Sequence, residues 1–312
     1  KQPIECNTGD YQTCVKNQYG ASALNYPNTT SQDDPLNSQT AWATHPAFTW
    51  GTEELNGFWI GKFETTGSIK EPTVLPNQYH KANEYIGVFY DIAKSIGQPD
   101  ANNKYGNDTA TTSNAHNLTV LSSHMLKNSE WGAAAYLASS KYGAGIASDG
   151  SSNVKNNASR DDSTGSDDGD GKDSASITGC GPYNINGSTT AYNCSGDITH
   201  QYQSDIGQLA STTNNEYGVY DMAAGAYEYV MGNYSTNLSQ SSGSTSYMKT
   251  AVKPPYVDIY NITSNNSCTW NTDGSGCGGH ALFETAGWSG DYPYFVGSSI
   301  PWFGRGGSWG DG

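Results

Sequence analysis

The sequence is short of charge. Only 14% of its 312 residues are Asp, Glu, Lys or Arg, and acids outnumber bases 30 to 15, for a net charge of −15. So low a charged fraction argues against a coiled coil. The scarcity of bases removes the footprint a nucleic-acid binder needs. Long apolar runs are missing as well, and no stretch of ~18 such residues offers a membrane span. Lys1 opens the sequence without a charged n-region or apolar h-region, so we read the chain as a mature or processed product. There is no Cys-x2-Cys spacing and the six His are scattered, which argues against a zinc site. What the chain has instead is Gly, Tyr, Asn, Ser and Thr, with 37 Gly and 22 Tyr. The expected core is aromatic rather than aliphatic, and the length suits one elaborated domain or two.

Six cysteines fall into three local couples, Cys6 with Cys14, Cys180 with Cys194, and Cys268 with Cys277. Six cysteines allow 15 pairings, so spacing alone leaves the connectivity open. The local pairing would close three short loops, each constraining the unfolded chain by ~2–3 kcal/mol. An even count in a Ser/Thr/Asn-rich chain points to an oxidising, extracellular setting, secreted or displayed at a cell surface. Asn-x-Ser/Thr sequons begin at Asn28, Asn107, Asn117, Asn157, Asn186, Asn193, Asn233, Asn237, Asn261 and Asn265. They mark surface loops only where a host glycosylates them.

Residues 1–50 read as a loop-rich extension punctuated by Pro27, Pro35 and Pro46, and residues 51–312 as the main domain. Gly57–Thr66 is aromatic and β-branched between Gly breaks, the pattern of a strand. Over 82–97, Tyr85, Val88, Phe89, Ile92 and Ile96 recur at helical spacing, and Gly97 suits a C-cap. A second helix is predicted over 128–141, with Asn128 as N-cap, Glu130 in the first turn, and Trp131, Ala134, Ala135 and Leu137 as its buried face. The stretch from about 144 to 215 reads as an insertion, with a low-complexity acidic run over 160–173. Asp167–Asp173 echoes a calcium loop, but Ser166 and Ile177 stand where an EF-hand needs Asp and Glu. Short aromatic strands between Gly/Ser/Asn turns are expected from Tyr217 onward. The fold class is α+β with much irregular structure.

Four segments in order carry a family resemblance. Tyr217-Gly-Val-Tyr-Asp-Met-Ala-Ala-Gly-Ala-Tyr-Glu-Tyr229 resembles the Tyr-Gly-Leu-Tyr-Asp-Met-x-Gly-Asn-Val-Trp-Glu-Trp signature of the formylglycine-generating-enzyme (sulfatase-modifying factor) superfamily. Arg305-Gly-Gly-Ser-Trp309 is similar to that family's Arg-Gly-Gly-Ser-Trp, and Phe58-Trp-Ile-Gly-Lys-Phe-Glu-Thr65 to its opening strand. Lys127-Asn-Ser-Glu-Trp131 resembles its Thr-Glu-Ala-Glu-Trp, although the preceding Arg-Leu-Pro has become His124-Met125-Leu126. The resemblance implies a C-type-lectin-like fold and a structural calcium, carried by the side chains of Asp221 and Glu228 and the carbonyls of Ala224 and Ala226. Carboxylates plus carbonyls are the hard oxygens that calcium takes. The alternative is an ordinary turn with solvated carboxylates. The family's Gly-Asn is Ala224-Gly225 here, and both of its Trp are Tyr227 and Tyr229.

The family's oxidases need a cysteine pair just after the Gly-Gly-Ser-Trp turn, and no cysteine follows Cys277 here. No His-x3-His spacing links His116, His124, His200 or His280 either. The expectation is a non-catalytic surface domain that recognises a cell-surface carbohydrate or protein, with Trp288, Tyr292, Tyr294, Trp302 and Phe303 building its ligand face and Arg305 either facing the ligand or holding the turn. A second reading is a subunit that self-associates into a fibre or pilus-like filament by strand exchange. An oxidase remains a reading only for a chain that continues past Gly312.

Overall fold

The computed structural model describes residues 45–51, 53–81, 84–95, 123–146, 153–157, 159, 176–184, 193–234, 252, 254–260, 280–281, 285, 288, 296 and 301–307. Their architecture is α+β: two helices, short strands and long ordered loops. No helix among them is long and apolar enough to cross a membrane.

Two hairpins come first. Strand β1 (Thr49–Trp50) pairs antiparallel with β2 (Glu53–Glu54), and β3 (Thr66–Gly67) with β4 (Pro72–Thr73). Of the strand expected over Gly57–Thr66, only Thr66 lies in a strand. Its backbone bonds are made elsewhere: Lys62 O accepts from Tyr220 N at 2.8 Å and Thr65 O from Lys81 N at 2.7 Å. A segment whose polar groups are satisfied by turns has no ladder to join.

Helix α1 (Ile86–Ser95) sits inside the predicted span and buries Ile86, Tyr90 and Ile92, whereas Tyr85 is exposed. The expected cap at Gly97 lies outside the described residues. Helix α2 (Asn128–Ser139) begins where predicted, but its N-cap is Lys127 and Asn128 is already helical. Glu130 Oε2 accepts from Lys127 N at 2.9 Å, half of a capping box, since a lysine side chain has no acceptor to return. Asp258 Oδ2 accepts a second free amide, that of Ser129, at 2.7 Å. Leu137, expected on the buried face, is 47% exposed, and the helix is instead embedded through Trp131, Gly132, Ala134, Ala135 and Ala138.

A mixed sheet of order β6-β5-β7 carries the core. Strand β5 (Glu228–Tyr234) runs parallel to β6 (Asp258–Tyr260) and antiparallel to β7 (Trp302–Arg305), with an irregularity between Tyr229 and Asn233. Helix α2 lies close against β5. A Cβ at Gly232 would meet Phe303 Cδ2 at 2.8 Å and Asn128 Cβ at 3.0 Å, so only glycine fits there. The core is aromatic: Trp131, Trp288, Trp302, Tyr220, Tyr260 and Phe303 are among its largest fully buried side chains.

Two expected boundaries move. Residues 45–50 belong to the packed body, with the His45 ring 5.9 Å from that of Tyr136 on α2. The described parts of the stretch read as an insertion also belong to the core, which takes Val154, Asn157, Ile177, Cys180 and Ala210 from it. Polar composition hid them, because they enter singly between loops rather than on a periodic face. The acidic run over 160–173 lies outside the described residues.

Candidate functional site

The turn from Tyr217 to Tyr229 is strained and heavily bonded. Asp221 and Ala224 both adopt left-handed backbone, at φ +65° and +63°. Asp tolerates that region and Ala does so only at a cost, which packing must offset. Asp221 is fully buried. Its Oδ1 accepts from Asn157 Nδ2 and from Gly179 N, both at 2.8 Å, and its Oδ2 from Glu64 N at 3.3 Å. One carboxylate therefore ties three distant segments to the turn. Burial pushes its pKa up to about 6 despite those bonds.

Glu64, within the Phe58–Thr65 segment, is brought by the fold to this turn. Its Oε1 accepts from Ala226 N at 3.2 Å. Its side chain is 7% exposed, and Oε2 is buried without a hydrogen-bond partner. Burial, with Asp221 and Glu228 as neighbouring charges, holds this carboxyl well above its ordinary range. His80 Nδ1 stands 4.0 Å from Oε2, and lies 3.0 Å from Ser176 N and 3.1 Å from Ser176 O. Burial lowers the His80 pKa, so it supplies no compensating cation. The available signal for Glu64 was an acid set between Phe63 and Thr65 in a chain so poor in charge.

Beside Gly306, oxygens converge. Gly306 has φ +86°, and a Cβ there would lie 3.3 Å from Met222 O, 3.6 Å from Glu228 Oε2 and 3.8 Å from Ala226 O. Glycine leaves this cradle open. Glu228 Oε2 also accepts from Trp131 Nε1 at 2.7 Å. Among the described residues no three His, Cys, Asp or Glu side chains are grouped to hold a metal. Two carbonyls with a carboxylate form a different kind of set, one matched to a hard cation. Of the four residues expected at a calcium, Ala226 and Glu228 meet in the cradle. Asp221 accepts from Asn157, Gly179 and Glu64 instead, and the Ala224 carbonyl is not among the three atoms nearest the Gly306 Cβ position. Met222 was not anticipated, because a backbone carbonyl leaves no trace in residue type.

The expected ligand face is in the core. Trp288 and Trp302 are 1% exposed, and Phe303 and Arg305 are fully buried. Trp288 and Phe303 pack with α2 and the sheet, and Trp302 packs with Ile86 and Tyr90 of α1, which leaves these side chains no face for a ligand. Tyr292 and Tyr294 lie outside the described residues. Arg305 Nη1 donates to Asn128 Oδ1 at 2.7 Å and His280 O at 2.8 Å, and Nη2 to Ala281 O at 2.6 Å and Thr285 Oγ1 at 3.2 Å. Its guanidinium stacks 3.9 Å from the centre of the Trp131 ring. Asn128 Nδ2 donates to Tyr260 OH at 2.8 Å, and Tyr260 OH in turn bonds His280 Nδ1. Of the two roles weighed for Arg305, the structure gives it the one of holding the turn.

Cys180 and Cys194 form a disulfide, and the other two couples lie outside the described residues. Two sequons are closed by burial. Asn157 is fully buried, with Nδ2 donating to Asp221 and Ile177 and Oδ1 accepting from Ser159 N, and Asn233 is fully buried on β5. Neither can carry a glycan in the folded chain. Asn193 is exposed, and the remaining seven lie outside the described residues. Compared with known proteins, the chain matches no family model and no curated protein.

Proposed function

We propose that the chain is a non-catalytic recognition domain of the formylglycine-generating-enzyme type, with a C-type-lectin-like fold, acting outside the cell at a surface. The observation that carries this reading is where the four family-like segments go. They span 58–309 in sequence, yet their described parts meet: Tyr220 N donates to Lys62 O, Ala226 N to Glu64, Trp131 Nε1 to Glu228, and Arg305 stacks on Trp131. Segments alike by chance would have no reason to bond one another. Their polar side chains are consumed in holding the fold, so recognition falls to the exposed loops, where function concentrates on a rigid scaffold.

Structural calcium is part of the proposal. Glu228 and the carbonyls of Met222 and Ala226 would hold it, with Glu64 as the neighbouring charge. The orphaned Glu64 Oε2 and the open cradle at Gly306 both fit a cation of this class. Bound there, it would oppose the burial that raises the pKa values of Glu64 and Asp221.

Size-exclusion chromatography combined with binding to cells tests the reading. A recognition domain runs as a 33.3 kDa monomer and binds a cell or matrix surface. A large species would favour the filament instead, and a monomer that binds no surface would remove the recognition reading.

A further inference from the structure

Among the described residues, four exposed apolar side chains lie in one short stretch: Trp59, 98% exposed, with Ile69, Val74 and Leu75 at 46%, 43% and 52%. The loop bearing Trp59 touches Val74, since a Cβ at Gly61 would lie 3.3 Å from Val74 Cγ1. On its other side Phe58 packs on Phe48, ring centres 5.6 Å apart, and Leu55 N donates to Phe48 O at 2.7 Å. Two hairpins thus lie beside the loop whose indole stands in solvent. Those hairpins expose Glu53, Glu54 and Glu71, against the single exposed cation Lys70. Of the other bases nearby, Lys62 is drawn over the rings of Phe63, Tyr202 and Tyr220 at 5.5, 4.8 and 5.7 Å, and Lys127, buried, donates to Thr49 O.

We propose that this is the recognition surface, and that its partner is a basic, partly apolar peptide segment of another protein. A Lys or Arg of the partner stacks on Trp59 while an apolar side chain rests on Val74 and Leu75. The inference rests on the recognition reading above and names the partner for it. Charge complementarity selects the partner. The face of an indole attracts cations, the two neighbouring hairpins expose carboxylates, and a chain of net charge −15 steers basic ligands inward. A second copy of the chain fits poorly. It carries the same −15 charge, and one indole of roughly 150–250 Å² with three half-exposed aliphatics falls short of the roughly 800 Å² per partner of a stable dimer.

The test is binding of a labelled decapeptide of alternating Lys and Leu to the full chain, followed by fluorescence anisotropy, with maltohexaose as a neutral competitor. Trp59→Ala should weaken peptide binding roughly threefold to thirtyfold, the range of a cation–π contact, and leave the melting temperature unchanged. Val74→Ser with Leu75→Ser and Glu53→Gln with Glu71→Gln should each weaken it as well. Neutralising the exposed Asp205 by Asp205→Asn should not. If Asp205→Asn weakens binding as much as the Glu53/Glu71 pair, attraction is diffuse and the proposal falls. Peptide binding that ignores Trp59→Ala overturns this surface while leaving recognition intact. Maltohexaose binding that is lost in Trp59→Ala while the peptide fails to bind makes the partner a glycan instead. A chain that binds cells through none of these residues overturns the surface, and one that binds nothing at all removes the recognition reading too.

Discussion

Glu228 and Arg305 are register partners on adjacent strands, and Trp131 touches both, through its indole N–H and its ring face. On the Arg305 side, one buried cation is spread over four acceptors and an aromatic face, and a planar fork matches that geometry. On the Glu228 side, Glu64 and Asp221 add buried carboxylates, and both have raised pKa values. A buried charge is tolerated when its field is met by fixed dipoles, and it is protonated or bound by a cation when it is not. On the Arg305 side the charge is met by acceptors already in place. On the Glu228 side the carboxylates lie close enough for Asp221 and Glu228 to raise the Glu64 pKa, which is where the proposed cation would act.

The largest effect should come from the residue the two sides share. Trp131→Ala should destabilise by ~3–5 kcal/mol through the cavity alone, measured by chemical denaturation, and a loss under ~1 kcal/mol would show that Trp131 is not packed between the two sides. Trp302→Ala should cost a similar amount, because Trp302 lies in the core rather than on a ligand face.

Next is the response of the acidic side to pH and calcium. Glu64 has its folded pKa raised from 4.5, so the stability its proton confers is present below that value and is lost as pH rises through the raised one. Glu64→Gln keeps a neutral group at every pH. In calcium-free buffer it should therefore raise the melting temperature at pH 8 and change it little at pH 4. Calcium added at pH 8 should stabilise the wild type, and Gly306→Ala should abolish that gain by filling the cradle. Equal melting temperatures with calcium and with chelator would remove the cation from the proposal.

The smallest expected effect is a gain. Ala224 takes φ +63° where the family-like signature has Gly, so Ala224→Gly should stabilise by ~1 kcal/mol through relief of the left-handed strain. An unchanged or lowered melting temperature would mean that the chain entropy added by glycine outweighs the strain.

Much of this was legible in residue order. Helix α2 is announced by Glu130 and the Trp131/Ala134/Ala135 spacing, and helix α1 by its apolar repeat. The Cys180–Cys194 bridge is the local pairing among the 15 that spacing left open. Residues with no periodic signal were misread: Asn157 passes for a sequon until Asp221 is seen bonded to it, and Trp302 passes for a binding aromatic until the sheet covers it.

By itself, then, the sequence determined composition-driven properties and local order: an acidic chain with an aromatic core, two helices and a disulfide-stapled loop. Tertiary structure decided which aromatics are inside and which carboxylates meet. Burial and charge–charge coupling depend on distances between residues such as Glu64 and Asp221, 157 positions apart. No local pattern of residue types encodes such a distance. For the same physical reason Trp59 and Trp302, alike as residues, end on opposite sides of the boundary with water.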